Sequence, residues 1–245
     1  MKRHCLIKYL AIIVLTFLFC FTSPPAATAV GLFGAPQTVS RDDGGLNTAI
    51  GYRYYEDVYN DAADIRFRQN EVYSQVAYGA KNTWEAYARI GVADLKIEDV
   101  FKDNETFFAT LGAKGFYTLN DQFGIGAFVQ GTYYLSDFND TVSRNKKIAI
   151  DHLWDVNCGI GFQMTLACGT RLYAGPYVYY SEAEMSLSSR KATLGYKAGD
   201  FSLENKSLAG GFAGLDIPLT KGFRLNVEGQ YADSFSAGAA ISYSY

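Results

Sequence analysis

The sequence predicts an all-β protein: a closed, antiparallel, up-and-down transmembrane β-barrel of about ten strands, with eight strands as the alternative. Apolar and polar residues alternate with a period of two from residue 47 onward, as in strands with one apolar and one polar face. Short turn-like connections take turns with longer, charged ones, as in membrane barrels. The 19 tyrosines and 17 phenylalanines, against five prolines, favour strands over disorder.

The first 29 residues have the pattern of a secretory signal peptide. A basic start precedes an apolar run at residues 9–22 and a small-x-small cleavage site at residues 27–29. A membrane anchor would need about 20 apolar residues. A lipoprotein signal at Cys20 would need small residues where bulky ones stand. We therefore expect export, with Val30 as the mature N-terminus.

Loss of the signal peptide changes the charge balance of the chain. It removes three basic and no acidic residues, so 22 basic and 25 acidic residues become 19 and 25, a formal charge of −6. Nucleic-acid-binding proteins present a basic face, so nucleic acid is not an expected partner. No later apolar run reaches the length of a membrane helix, and only a closed barrel would let the mature chain cross a bilayer.

The domain organisation follows from where the alternation begins. Residues 30–46 contain glycines, Pro36 and a charged cluster at residues 41–45, and we interpret them as a periplasmic lead-in without regular structure. The barrel domain then covers residues 47–245. The predicted strands are residues 47–59, 64–78, 84–97, 106–118, 123–135, 151–165, 170–187, 206–218, 222–231 and 236–245.

The connections divide into two kinds. Those at residues 79–83, 119–122, 166–169 and 219–221 are short and turn-like, which predicts the periplasmic side. The longer ones predict the outer side, and two of them, residues 136–150 and 188–205, carry basic side chains. These side chains either pair with lipopolysaccharide phosphates or form a solvated rim of mixed charge.

The second strand is irregular. Its apolar residues fall on odd positions up to Phe67 and on even positions from Val72. We expect either a bulge within residues 68–70, which would reverse the faces, or a segment 64–69 that rises above the membrane. Both alternatives place Glu71 in the lumen.

The final strand alternates from residue 236 to the last residue and ends with aromatic side chains at Tyr243 and Tyr245. It resembles the closing strand of bacterial outer-membrane barrels, and the mature chain is similar to the small barrels of the OmpA, OmpX and OmpW kind. The resemblance implies the outer membrane of a Gram-negative bacterium. It also implies Tyr243 and Tyr245 as an assembly signal, with the barrel-assembly machinery, outer-membrane lipid and lipopolysaccharide as partners. Those families mostly have eight strands, and ten are counted here.

Strand parity assigns a set of ionisable residues to the lumen. Charges of mixed sign are costly to leave unpaired in a narrow, low-dielectric interior, so we expect salt-bridged networks. Ten strands lie near the size at which side chains fill the interior, so the network either packs the barrel or lines a narrow path. The predicted lumen-lining residues are Arg53, Glu71, Glu85, Arg89, Lys114, Asp155, Arg171, Asp216, Arg224 and Glu228. The same faces carry Gly91, Gly112, Gly124, Gly126, Gly159, Gly161, Gly210 and Gly214, as narrow faces inside a cylinder would.

The remaining reactive side chains predict little chemistry. His152 lies beside Asp151 and points by parity toward lipid, which favours a position on the aromatic belt over catalysis. Cys158 and Cys168 lie too far apart along the predicted hairpin for a disulfide, which predicts two free thiols. We expect no metal site and no cofactor.

Three functions remain for such a barrel. The first is a structural, surface-exposed protein with a mostly plugged lumen. The second is a narrow, porin-like channel for small solutes. The third and most distant is a lipid-active enzyme that uses His152, and we expect the protein not to be an enzyme.

Overall fold

The computed structural model describes residues 32–37, 44–60, 65–80, 83–97, 101–102, 105–143, 146–189, 200–205, 209–232 and 234–245. The predicted signal peptide lies outside these residues. Among the residues described, no helix is both long and apolar enough to cross a membrane. The regular structure is a single antiparallel sheet. Its strands are β1 (Gly45–Asn60), β2 (Ile65–Ala80), β3 (Trp84–Ile97), β4 (Phe101–Lys102), β5 (Thr106–Thr118), β6 (Phe123–Tyr134), β7 (Phe138–Ser143), β8 (Lys146–Thr165), β9 (Arg171–Ser189), β10 (Asp200–Asn205), β11 (Ala209–Pro218), β12 (Phe223–Tyr231) and β13 (Phe235–Ser244).

Ten of these strands close into a barrel. The order around the wall is β1, β2, β3, β5, β6, β8, β9, β11, β12 and β13, and β13 pairs again with β1. In this closing pair Asn47 lies opposite Ser244 and Tyr54 opposite Ala237. The predicted fold class and the count of ten strands are therefore confirmed, and the C-terminal strand closes the ring.

The two ends of the barrel differ. One end, which we call the turn rim, carries the four short connections together with the start of β1 and the end of β13. Two of its turns use glycine with positive φ, Gly169 at 82° and Gly222 at 86°, a conformation that costs glycine little. At a third, the Asn120 side chain accepts hydrogen bonds from the backbone N–H groups of Gln122 and Phe123, both at 2.9 Å.

The opposite end, the loop rim, contains strand structure where the sequence indicated loops. β7 and β10 extend the wall there, and β8 begins at Lys146 instead of residue 151. A register shift between Asp151 and Trp154 interrupts β8, with His152 at a φ of 54°. This bulge breaks the period-two pattern, which is why alternation alone places the start of the strand too late in the chain.

Of the two alternatives predicted for β2, the bulge is wrong. β2 pairs without a register shift with β1 over residues 65–79 and with β3 over residues 67–80. Phe67, Gln69 and Glu71 are all buried on its inner face, while Val72 is exposed on the outer one. The change of apolar parity arises because Phe67 packs inside the barrel near the loop rim.

The outer surface of the wall is apolar. Ile50, Ile90, Leu111 and Ile241 are half to two-thirds exposed or more, and exposed aromatic side chains such as Trp84 lie near the strand ends. A band of this kind on a closed barrel is stable against lipid and not against water. The structure is therefore that of a barrel that spans a membrane.

Candidate functional site in the barrel lumen

The ten ionisable residues assigned to the lumen by parity all lie on the inner side of the wall. Lys114, Arg171 and Arg224 are partly buried. The other seven are at most 7% exposed, namely Arg53, Glu71, Glu85, Arg89, Asp155, Asp216 and Glu228. Ion pairs and hydrogen bonds connect most of them into three groups.

The first group joins β1, β2 and β6. Arg53 Nη2 lies 2.6 Å from Glu71 Oε1. The Tyr134 hydroxyl donates to the same carboxylate at 2.7 Å, and it also lies 3.1 Å from Gln69 Oε1. On β8, Asp155 accepts a hydrogen bond from Asn157 at 2.7 Å.

The second group lies at the turn rim. The Asp216 carboxylate binds Arg171 Nη1 at 3.0 Å and Arg224 Nε at 2.8 Å. Arg224 Nη2 also donates to the carbonyl of Gly169 at 3.0 Å. This group therefore ties the turn between β8 and β9 to β11 and β12.

The third group lies around Arg89. Its Nε donates to Gln75 Oε1 at 2.6 Å, and its guanidinium lies over the rings of Tyr73 and Tyr87 at 5.0 and 4.7 Å from the ring centres. Nearby, Lys114 Nζ and Glu85 Oε1 are 3.4 Å apart.

A segment ahead of the first strand fills the space between these groups. Residues 32–37, which we call the inner segment, lie inside the lumen, with Leu32, Phe33 and Ala35 at most 6% exposed. The sequence indicated a periplasmic lead-in here, so the described part of that region requires a correction. Apolar Leu32 and Phe33 find a dry, aromatic environment inside the barrel that the periplasm does not offer.

Glu228 anchors the inner segment. Its Oε1 accepts the backbone N–H of Phe33 at 2.9 Å, and its Oε2 accepts that of Gly34 at 2.8 Å. The Tyr173 hydroxyl at 2.9 Å and Gln230 Nε2 at 2.6 Å complete four hydrogen bonds to this buried carboxylate. Half of the donors that satisfy Glu228 therefore come from the inner segment.

Other wall side chains form hydrogen bonds with the backbone of the inner segment and with its last described residue. Arg89 Nη2 donates to the carbonyl of Leu32 at 2.7 Å, and Lys114 Nζ donates to that of Ala35 at 3.2 Å. Gln163 and Gln37 form two hydrogen bonds, one with the Gln37 backbone N–H at 3.1 Å and one between the side chains at 3.0 Å.

The Phe33 ring occupies an aromatic cage. It stacks on Phe128 with ring centres 4.0 Å apart, and its centre lies 5.0 Å from those of Tyr177 and Phe212. Such aromatic pairs add to the free energy gained by burial. A cavity of about 10 Å³, the space of roughly one water molecule, remains beside the inner segment.

Three wall glycines leave room for the inner segment. A Cβ at Gly161 would lie 2.7 Å from Pro36 Cγ, and one at Gly126 would lie 2.8 Å from Pro36 Cβ. A Cβ at Gly238 would lie 3.0 Å from Leu32 Cδ2. Any larger side chain at Gly161 would therefore collide with the segment.

A second apolar group fills the lumen near the loop rim. It includes Phe67, Leu95, Phe138, Ile150 and Leu153, which we call the outer cluster, and each of these side chains is at most 8% exposed. Leu32 of the inner segment packs into the same cluster of buried residues. The lumen is thus filled by the inner segment toward the turn rim and by the outer cluster toward the loop rim.

Three other predicted positions lie away from the lumen. His152 projects at the loop rim with its side chain 67% exposed, and its Nδ1 lies 3.7 Å from Glu184 Oε2. Cys158 is exposed on the outer face, Cys168 lies in a turn, and neither forms a disulfide. Within the described ranges, no group of histidine, cysteine, aspartate or glutamate side chains is arranged to hold a metal ion.

Tyr243 and Tyr245, the predicted assembly signal, lie at the turn rim. The Tyr243 ring centre is 4.7 Å from that of Phe223 and 4.8 Å from that of Tyr245. Their place on the closing strand is as expected, and a role in assembly stays a prediction.

Comparisons with known proteins find similar solved structures at low sequence identity. No family model and no curated protein matches it. The translocator domain of the autotransporter NalP from Neisseria meningitidis is 12% identical, with a TM-score of 0.49 over 81% of this chain and 88% of that one. The outer membrane protein AlkL, solved in lipid bilayers, is 12% identical, with a TM-score of 0.45 over 89% and 97%. Ail of Yersinia pestis is 14% identical, with a TM-score of 0.39 over 83% and 99%.

Proposed function

We propose that this protein is a sealed outer-membrane barrel, a structural protein that anchors its loop-rim hairpins at the cell surface. The observation that carries the proposal is the filling of the lumen by two separate groups of side chains. The inner segment fills the turn-rim half, and the outer cluster fills the loop-rim half. A ten-stranded barrel has little interior to spare, so both groups close it.

The proposed orientation follows from the two rims. The turn rim faces the periplasm and the loop rim faces outward, as the short turns and longer loops of outer-membrane barrels do. The signal peptide would deliver the chain to the periplasm, where the barrel-assembly machinery would insert it. Outer-membrane lipid would cover the apolar band, with lipopolysaccharide headgroups at the loop rim.

Electrical recording tests the sealing. Residues 30–245, refolded in detergent and checked by the change in gel mobility on boiling, would be added to a planar bilayer beside a porin of known conductance. We expect a folded protein that gives no current steps while the porin conducts. Discrete, salt-dependent steps from the folded protein would refute the sealed barrel.

A narrow channel for small solutes is the second candidate. The buried charges of the lumen favour a channel, because Arg89, Glu85 and Glu228 would line any path that opened through the barrel. For a channel, Arg89→Ala and Glu228→Ala would alter conductance or its ion preference. For a sealed barrel they would alter stability alone.

A lipid-active enzyme that uses His152 is the most distant candidate, and we propose that the protein has no such activity. His152 is mostly exposed at the loop rim, and Glu184, which lies 3.7 Å from it, is equally exposed. The test compares the membrane lipid profile of cells that express the wild type or His152→Ala. A difference between the two profiles would support an enzyme.

A further inference from the structure

We propose that the turn-rim half of the lumen is a peptide-binding site, and that the inner segment is a ligand bound there reversibly in cis. This inference deepens the proposed function and rests on the inner segment as one of the two seals. The ring of ten strands closes by backbone pairing without any contribution from residues 32–37. The barrel is therefore complete without the inner segment, which occupies the lumen as a ligand would.

The contacts are those of peptide recognition. The Glu228 carboxylate chelates two successive backbone N–H groups, at Phe33 and Gly34. Arg89 donates a hydrogen bond to the backbone carbonyl of Leu32, and Lys114 donates one to that of Ala35, three residues later. Each of these bonds joins a wall side chain to a main-chain atom, so the site recognises the peptide by its backbone, which turns at Gly34 with a φ of 73°.

Two features give the site sequence selectivity. The cage of Phe128, Tyr177 and Phe212 requires an aromatic side chain at the position of Phe33. The absence of a side chain at Gly161 makes space for the proline ring at position 36. The site therefore takes an aromatic residue that is followed, three positions later, by proline.

The peptide enters and leaves through the turn rim. Gln37, the last described residue of the inner segment, binds Gln163, which lies two residues before the end of β8 at Thr165. The outer cluster closes the other direction. Exchange of the inner segment therefore exposes the site to the periplasm and not to the cell surface.

The first experiment measures the exposure of the inner segment. Ala35→Cys, in a background with Cys158→Ser and Cys168→Ser, places one thiol on the segment for reaction with a water-soluble maleimide in the folded mature protein. Adding Gly161→Ala drives a methyl group into Pro36, and labelling should accelerate by roughly tenfold or more, the population change expected of overpacking.

Two matched variants make this result specific. Gly131→Ala, on neighbouring β6, adds a methyl group that meets its nearest atoms at an ordinary 3.6 Å, and should leave the labelling rate unchanged. Pro36→Ala removes the atom with which Gly161→Ala collides, and the double variant should return toward the slow rate. Equal rates in Gly161→Ala and Gly131→Ala would overturn the proposal.

The second experiment supplies the ligand in trans. Phe33→Ser empties the aromatic cage without altering the wall, so a fluorescent synthetic peptide with the sequence of residues 30–37 should bind to this variant with saturable anisotropy. The same peptide should not bind to the variant that carries Phe33→Ser and Gly161→Ala. A peptide with serine in place of phenylalanine should bind to neither.

Failures of the two proposals can be told apart. Slow labelling in every variant, together with no saturable peptide binding, would show that the segment is a permanent part of the barrel and would overturn this inference. The sealed barrel would stand, because it depends on the absence of current through the wild type. If Gly161→Ala fails to fold by the gel-mobility test, the labelling rate of Phe33→Ser decides instead.

Discussion

Arg53 and Glu71 lie directly opposite each other on β1 and β2, and their side chains form an ion pair of 2.6 Å with at most 4% of either side chain exposed. Removal of one partner leaves a buried charge without compensation, which is more costly than the loss of the pair as a whole.

The first prediction therefore concerns Arg53→Met. This change should lower the free energy of unfolding by about 3–5 kcal/mol, because buried Glu71 loses its ion-pair partner and the hydrogen bond from the Tyr134 hydroxyl does not replace it. Chemical unfolding in lipid vesicles, followed by tryptophan fluorescence, measures the loss. The double variant Arg53→Met, Glu71→Gln should recover part of it. A double variant no more stable than the single one would contradict the explanation.

The second prediction concerns the anchor of the inner segment. The Glu228 carboxylate accepts four hydrogen bonds. Glu228→Gln replaces one of its oxygens with an NH₂ group, which faces some of these donors and cannot accept from them. The free energy of unfolding should fall by about 1.5–3 kcal/mol, the range for hydrogen bonds to charged groups. Glu184→Gln, at a side chain that is 67% exposed, is the control and should change stability little. Equal effects would argue against Glu228 as an anchor.

The third prediction tests the lipid-facing band. Leu111 lies in the middle of β5 and is 71% exposed on the outer face. Leu111→Arg should destabilise the barrel in lipid vesicles by about 2–4 kcal/mol, the cost of an arginine near the bilayer midplane. Leu219→Arg, in a turn at the rim, should cost about 0–1 kcal/mol. A similar cost at both positions would mean that Leu111 does not face the hydrocarbon.

The fourth prediction uses the two thiols. After oxidation of the folded mature protein, unfolding without a reductant should release two titratable thiols per chain, because the folded barrel does not join Cys158 and Cys168 in a disulfide. In vesicles, Cys158 should react with a membrane-soluble maleimide and resist a charged thiosulfonate, since it lies on the outer face. Rapid reaction with the charged reagent would place β8 outside the bilayer.

Period-two alternation was sufficient to predict the wall. Each of the ten barrel strands differs from its predicted bounds by at most five residues, and the largest difference is at the start of β8, where the bulge at His152 intervenes. Parity likewise located the lumen-facing charges, because a wall strand that is regular leaves each side chain only two directions. Where an apolar residue points inward, as Phe67 does, the same rule fails.

The inner segment was not predicted, for a physical reason. Residues 32–37 have no periodicity and form no strand, and their place depends on contacts with residues more than a hundred positions away, such as Glu228 and Gln163. The sequence signal that could have indicated the inner segment is the pair of glycines on the inner faces of β6 and β8. The alternation explains Gly126 and Gly161 only as narrow positions within a cylinder, whereas the space beside them holds Pro36.

The wall has a different perimeter at its two ends. Toward the loop rim, β10 pairs with β9 on one side and with the end of β1 on the other, at Tyr59 and Asn60. One strand there takes the place of β11, β12 and β13, and barrel diameter grows with strand number. The barrel is consequently tapered, and its wider opening lies at the turn rim. A ligand that enters the barrel after the inner segment has left must leave through the same opening.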